Sequence, residues 1–259
     1  KYLETSSTSA EASGGTMQFD NNTGYTGSTS LNTVDWVWKR ASSYFDVVAY
    51  TGTGSGNLQI SHNLNAVPEM MWVKIRSGTT NDWVVYHKDL PTSGNSKKTL
   101  FLNLTSAGGY GNYFADASGV HVAPTSSVFT LGSEAAVNGS SSYNYIAYLF
   151  ATVAGVSKVG SYTGTNSSLT IDCGFSSGAR FVLIKRTNST GHWWLFDSVR
   201  GIVSGYDASL NLNNTNSEDS SVDWIDPHSS GFTLPPTAVG QGDNDVNISG
   251  AEYIFYAIA

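Results

Sequence analysis

Two stretches of the sequence place aromatic, imidazole, carboxylate and guanidinium groups close together. The stretch DWVVYHKDL at 82–90 contains Trp83, His87 and Asp89. The stretch GHWWLFDSVRG at 191–201 contains a comparable set, namely His192, Trp194, Asp197 and Arg200. Such groups suit a sugar, because the apolar C–H face of a pyranose stacks on an aromatic ring while its hydroxyls bind a polar rim. We therefore predict a weak glycan-binding platform in each stretch.

A competing interpretation is that these aromatic residues belong to the core. Trp193 and Trp194 are adjacent, so on a strand their rings point to opposite faces of the sheet. One ring is then buried, and the other is either exposed or covered by a neighbouring module. Because Trp83 and Trp193 occupy the same position in similar stretches, packing explains them well, and Trp194 is the better candidate for a surface role.

Other combinations of residues give weaker chemical signals. A glycosidase needs two carboxylates across a sugar-sized gap, and the candidate acids are Glu218, Asp219, Asp223, Asp226, Asp243 and Asp245. Acids among Ser, Asn and Gly are more typical of turns, so we predict no enzymatic activity and no catalytic residue. The loop GDNDVN lacks the pattern of a calcium loop, and the five histidines have no metal-ligand spacing. We expect no cofactor, no metal site and a buried, structural Cys173.

The elements that position these residues belong to a sequence repeat. AYTGTGSGNLQI at 49–60 returns as SYTGTNSSLTI at 161–171, and DWVVY at 82–86 returns as HWWLF at 192–196. Further pairs keep the same order: MWVKIRS with VLIKRT, SSVFTL with SSGFTL, and YNYIAYLFA with AEYIFYAIA. We place one repeat at 45–152 and a second at 153–259. Residues 1–44 have the texture of the C-terminal part of a truncated preceding repeat.

The composition predicts an all-β fold. Aromatic residues make up 12% of the chain and charged residues only 13%, with 27 glycines, which favours strands joined by tight turns. Alternating segments such as LQISH, MMWVKIR and VFTL recur every 8–12 residues or so, as in β-sandwiches. RFVLIKR is apolar on both faces, which indicates a strand buried on both sides. The predicted architecture is tandem β-sandwich modules of about 105 residues each.

Charge and hydropathy exclude two classes of partner. The formal net charge is −7 and the pI is about 5.0, so the field of the protein repels nucleic acid. No apolar run approaches the roughly 20 residues that span a bilayer, so we expect no membrane insertion.

The repeated motifs resemble a known module. VSKVGSYTGT, IDCGFSSGARFVLIKRTNSTGHWWLFDSVRGIVSG and YIFYAIA are similar to a module of unassigned function in tail-fibre and virion structural proteins of marine bacteriophages. The resemblance implies a component of the virion surface or tail fibre, outside the host cell, that self-associates as a homotrimer or filament. It supplies no established ligand residues.

Two functions follow from the repeat and the resemblance as expectations. The first is a structural and adhesive segment that binds host cell-surface polysaccharide through weak sites in series, whose avidity repetition raises. The alternative is a purely architectural spacer, capsid decoration or self-assembling filament subunit.

Overall fold

The fold is all-β, as the composition predicts. The computed structural model describes residues 1–13, 18–21, 24–26, 34–236 and 246–259. Within these ranges the one helix is the four-residue α1, Ala135–Asn138, which the sequence did not predict. No helix among the described residues has the length and apolar character needed to cross a membrane.

Residues 45–152, the predicted first repeat, form one large antiparallel sheet. Its neighbouring strands are, in order, β3 (Phe45–Thr51), β11 (Asn144–Phe150), β5 (Met70–Ser77), β6 (Val84–His87), β8 (Ser96–Phe101) and β7 (Thr92–Ser93), with β9 (Gly109–Gly111) also paired to β8. The last strand of the repeat, β11, therefore lies between the first strand and β5. Its register runs continuously from Asn144 opposite Thr51 to Phe150 opposite Phe45.

Residues 153–259, the predicted second repeat, form a second large sheet with a corresponding strand order. Its strands are β12 (Ser157–Thr163), β20 (Glu252–Ile258), β14 (Phe181–Arg186), β15 (Trp193–Asp197), β16 (Asp207–Asn211) and β17 (Asp219–Val222). Again the last strand of the repeat, β20, lies between two others: it pairs with the first strand, β12, on one side and with β14 on the other.

Smaller sheets accompany the large ones. β4 (Leu58–Ser61) pairs with β10 (Val128–Leu131) in the first repeat, and β13 (Leu169–Asp172), β19 (Gly231–Leu234) and β18 (Asp226–His228) pair in the second. Near the start of the chain, β1 (Gln18–Asn21) pairs with β2 (Gly24–Thr26).

Each large sheet is buried on both faces. One face of the first sheet, including Met71 and Val73, packs on Phe129 and Leu131 of β10. One face of the second sheet, including Trp194, packs in the same way on its own small sheet and loops. The remaining faces of the two large sheets pack against each other, which explains why their central strands lack a polar face.

We call the apolar layer between the two large sheets the shared core. Its buried members include Met70, Trp72, Trp83, Val85, Leu100, Leu102 and Phe150 from the first sheet and Phe181, Leu183, Trp193, Leu195, Ile254 and Tyr256 from the second. Burying a large apolar side chain stabilises a fold by roughly 1.5–3 kcal/mol. The shared core therefore holds the two repeats together strongly.

Side-chain hydrogen bonds hold the recurrent motif YTGT in place. The hydroxyl of Tyr50 donates to the carbonyl of Val137 at 2.8 Å, and the Asn138 Oδ1 accepts the N–H of Thr53 at 2.6 Å. The second repeat has the same contacts, from the Tyr162 hydroxyl to the Val246 carbonyl at 2.7 Å and from the Thr165 N–H to the Asn247 Oδ1 at 2.9 Å. Asn247 in GDNDVN is thus a buried structural residue.

Candidate functional site

The aromatic candidate of the first repeat lies in the shared core. Trp83 is 3% exposed, and its indole Nε1 donates to the carbonyl of Glu4 at 2.8 Å. Its backbone N–H donates to the Asn103 Oδ1 at 2.9 Å. Neither face of this ring is free to stack on a sugar.

His87 is buried and Asp89 is exposed. Burial, followed by repulsion from Lys88, lowers the pKa of His87 to about 3, so the imidazole is neutral at physiological pH. Its Nδ1 accepts the backbone N–H of Asp89 at 3.2 Å. The three predicted residues of the first repeat therefore do not form an open platform.

Trp193 and Trp194 point to opposite faces, as strand alternation requires, but neither ring is open to solvent. Trp193 is 1% exposed in the shared core, where the first repeat covers it. Trp194 is 9% exposed and packs on Trp224 at a ring-centroid distance of 4.5 Å. The expectation of a surface role for Trp194 is wrong, because the loops of its own repeat cover the outer face of the strand.

His192 lies beside Trp194, at the start of β15. Its ring meets that of Trp194 edge-on at 5.7 Å, and the Asn213 side-chain amide lies 2.9 Å from its Nδ1. This pair is separated along β15 from Asp197 and Arg200, which line a cleft at the other end of the strand.

Asp197 and Arg200 form a closed network. Asp197 Oδ2 accepts from Arg200 Nε at 2.6 Å and from the indole Nε1 of Trp36 at 3.1 Å. Its Oδ1 accepts the backbone N–H groups of Val199 and Arg200 at 3.1 and 3.0 Å. Burial alone would raise the pKa of Asp197, but the hydrogen bonds from Arg200 outweigh burial and lower it. The carboxylate is thus ionised and fully engaged, which does not suit a general base.

This network forms one wall of a cleft of about 500 Å³. The lining residues are Val34, Asp35, Trp36, Val37, Trp38, Tyr44, Arg180, Phe181, Asp197, Ser198, Val199, Arg200, Ile258 and Ala259. Val37 and Val199 are 62% and 86% exposed, so apolar surface is open to solvent at its rim. The guanidinium carbon of Arg200 lies 5.4 Å from the ring centroid of Trp36. The cleft combines aromatic and aliphatic surface with the Asp197–Arg200 ion pair.

Trp36 and Trp38 were not predicted as site residues. Both rings contact Phe181 edge-on, at centroid distances of 6.4 and 5.4 Å. The alternation in VDWVWKRA was the available signal, because it places both tryptophans on one face of an extended segment. The contact of Trp36 with Asp197 spans 161 positions in the chain, and no local pattern predicts it.

The acidic loop of the second repeat does not contribute to this cleft beyond one contact. Glu218 Oε2 lies 3.0 Å from Arg200 Nη1, and Asp219 accepts hydrogen bonds from Ser221 in its own turn. Burial, followed by repulsion from Asp226, raises the pKa of Asp223. Asp243 and Asp245 lie outside the described residues.

Metal ligation and thiol chemistry find no support in the described residues. There, no three His, Cys, Asp or Glu side chains are grouped so that they could hold a metal ion. Cys173 is buried, and burial raises the pKa of its thiol to about 12. A protonated, inaccessible thiol is a poor nucleophile.

Comparison with known proteins assigns the chain to a family. Residues 2–259 match the family model described as a domain of unknown function (DUF7483), so the chain belongs to this family. No curated protein and no solved structure matches it significantly.

Proposed function

We propose that the chain is a structural segment of a bacteriophage tail fibre or virion surface. It consists of two tandem β-sandwich modules, 45–152 and 153–259, and 1–44 is part of a preceding module. The observation that carries the proposal is the shared core, in which equivalent faces of the two large sheets meet. The phage context comes from the resemblance of the repeated motifs to virion structural modules.

The contacts of the two repeats support the modular part of the proposal. Both large sheets place the last strand of the repeat between its first and third strands. Both repeats pin the YTGT turn with a buried asparagine, Asn138 or Asn247. Equivalent contacts at equivalent positions are what duplicated modules produce.

The buried tryptophans favour an architectural role over adhesion. Trp83, Trp193 and Trp194, the most repeated or most prominent aromatic candidates, all pack inside the protein. A building block needs apolar surface for contact between modules, whereas a weak sugar site needs an accessible ring. We therefore propose no catalytic role and no cofactor.

Occurrence in virions tests this proposal. In phage particles purified from a host carrying the gene, mass spectrometry should find the chain in stoichiometric amount, and antibody labelling should place it on the fibre or capsid surface. A particle preparation without the chain would contradict the proposal.

Adhesion to host-surface polysaccharide is the second candidate, favoured by the cleft. There the ring of Trp36 lies beside polar groups and exposed valines. A glycan array with the assembled protein should then give signals that Trp36→Ala abolishes. The matched control is Tyr206→Ala, which removes a 72% exposed ring that does not line the cleft. An array without signal, or equal signals from both variants, would exclude this candidate.

A further inference from the structure

A tryptophan and a lysine of the first repeat bind the leading segment of the chain. The Trp83 indole Nε1 donates to the Glu4 carbonyl at 2.8 Å. The Lys74 ammonium donates to the carbonyl of Thr8 at 2.8 Å and to that of Asn81 at 2.6 Å. The two carbonyls on the leading segment are four residues apart in the sequence.

The second repeat binds the first repeat through the same pair of donors. The Trp193 indole Nε1 donates to the Phe101 carbonyl at 2.9 Å. The Lys185 ammonium donates to the Thr105 carbonyl at 3.0 Å and to the Gly191 carbonyl at 2.9 Å. The acceptors are again four residues apart. Residues 4–8 therefore correspond to 101–105, and the chain contains one type of junction twice.

The second repeat carries a third copy of the acceptor segment. The Oδ1 atoms of Asn103 and Asn213 accept the backbone N–H groups of the two equivalent tryptophans, at 2.9 and 2.8 Å. This equivalence aligns the acceptors Phe101 and Thr105 with Asn211 and Thr215. We call residues 210–215 the open acceptor segment.

Burial distinguishes the open acceptor segment from the occupied one. Leu100 and Leu102 are 0% exposed in the shared core. Their counterparts Leu210 and Leu212 are only partly buried. Apolar side chains that a neighbouring repeat seals in the first case are left partly open in the second.

A second position that no strand among the described residues occupies lies along residues 36–40. An alanine follows this segment, and an alanine also follows β11 and β20. Aligned on that alanine, the segment corresponds to β11 and β20, and each of these two strands pairs with a strand on both sides. Residues 36–40 have no strand partner among the described residues. Trp36 and Trp38 nevertheless pack on the shared core. Tyr148 and Tyr256 do so at the positions that match Trp38, and Ile254 does so at a position that matches Trp36. The cleft lies beside this segment.

We propose that both positions are seats for one occupant, the first half of a third copy of the repeat. Its first strand pairs with residues 34–40 and fills the cleft. Its lysine-bearing and tryptophan-bearing strands lie between 34–40 and the leading segment, and their indole and ammonium groups bind the carbonyls of Asn211 and Thr215. Three equivalent junctions then surround the shared core. The inference depends on the modular part of the proposed function and not on its phage context.

The chemistry of the seats matches this occupant. Main-chain carbonyls at a fixed spacing bind hydrogen-bond donors at the same spacing. An extended segment outside any sheet pairs with another strand through its backbone N–H and C=O groups. The occupied junctions show that a tryptophan and a lysine supply those donors. A glycan could stack on Trp36 but would not pair with the backbone of 34–40.

The test is a fusion in which a copy of residues 42–97 precedes Lys1 of the full chain. This joint preserves register, because residues 101–105 correspond to 4–8 and residue 98 therefore corresponds to residue 1. Hydrogen exchange read by mass spectrometry should slow at least about tenfold in 34–40 and 208–215 relative to the unmodified chain. The fused copy should itself resist proteolysis.

A matched fusion separates docking from mere attachment. In this control, Trp83 and Lys74 of the added copy alone are replaced, as W83A and K74M, and the body of the protein is unchanged. We expect the protection at 208–215 to be lost. Exchange in 34–40 and 208–215 that is the same in all three proteins, or a copy that is digested as rapidly as an unfolded chain, would overturn the inference.

Two further measurements assign other occupants. Light scattering could show that the unmodified chain is a dimer, with 34–40 and 208–215 protected from hydrogen exchange. In that case a second chain occupies the two positions, and the proposed half-repeat does not. If a host oligosaccharide protects the cleft equally in the fused and unmodified chains, the cleft is a sugar site and the proposed strand does not lie there. Neither outcome depends on whether the protein occurs in virions, so failure here leaves the proposed phage context standing.

Discussion

The two occupied junctions differ in what covers them. At one, the complete first repeat packs on Trp193 and Lys185, and burial, aided by the nearby charges of Arg186 and Lys98, lowers the lysine pKa to about 7. At the other, the leading segment packs on Trp83 and Lys74, where burial lowers the lysine pKa only to about 8 and Asp82 opposes the shift. Both lysines are fully buried, so the two junctions differ in the charges near the ammonium group: Asp82 at one, Arg186 and Lys98 at the other. The repeated motif fixes the hydrogen bonds, whereas the charges around the lysine differ from one junction to the other.

Truncating the tryptophans should give the largest effect. Trp193→Ala removes a buried ring and leaves the Phe101 carbonyl without its indole donor. We expect the free energy of unfolding to fall by about 3–5 kcal/mol, and by somewhat less for Trp83→Ala. Urea titration followed by circular dichroism measures both. A loss below about 1 kcal/mol for Trp193→Ala would contradict the buried position.

The leucine pair sharpens the comparison between occupied and open segments. Leu102→Ala should lower the free energy of unfolding by about 2–4 kcal/mol, because the side chain is fully buried between the repeats. The equivalent Leu212→Ala should lower it by about 1 kcal/mol, because this side chain is partly exposed. Equal losses would show that the two segments are equally covered in solution.

The lysines should give a smaller, pH-dependent effect. A lysine with a lowered folded-state pKa binds fewer protons in the folded than in the unfolded protein between that pKa and its ordinary value. Stability therefore rises with pH across this window, which runs from about 7 to 10.5 for Lys185 and from about 8 to 10.5 for Lys74.

Replacement by methionine should remove this rise. We expect Lys185→Met to reduce the slope of unfolding free energy against pH between about 7 and 10 by at most about 1.4 kcal/mol per pH unit. Lys74→Met should act only above about pH 8. Urea titrations at half-unit pH intervals measure the slopes, and parallel curves for wild type and both variants would show that neither ammonium group is buried.

Much of the fold could be predicted because it depends on patterns within single strands. The alternating stretch MMWVKIR corresponds to β5, and VFTL to β10. The apolar stretch RFVLIKR indicated a strand buried on both faces. This stretch forms β14, whose residues are buried on both faces. The all-β class follows from composition in the same way.

The candidate site could not be predicted because it depends on contacts between distant segments. Alternation placed Trp193 and Trp194 on opposite faces, but what covers each face is decided by strands and loops far away in the sequence. Asp197 and Arg200 were predicted to form one site with His192 and Trp194, but they lie at the other end of β15, and their aromatic partner Trp36 comes from the leading segment. Helix α1 is a single turn of four residues, too short to carry a periodic signal.

The lone cysteine makes the protein its own reporter of local opening. Cys173 packs in the core of the second repeat, and its thiol is protonated at neutral pH. A thiol reagent such as a maleimide reacts only when that core opens, so the labelling rate counts those openings without any engineered probe. Because the chain has no other cysteine, the signal reports on the second repeat alone.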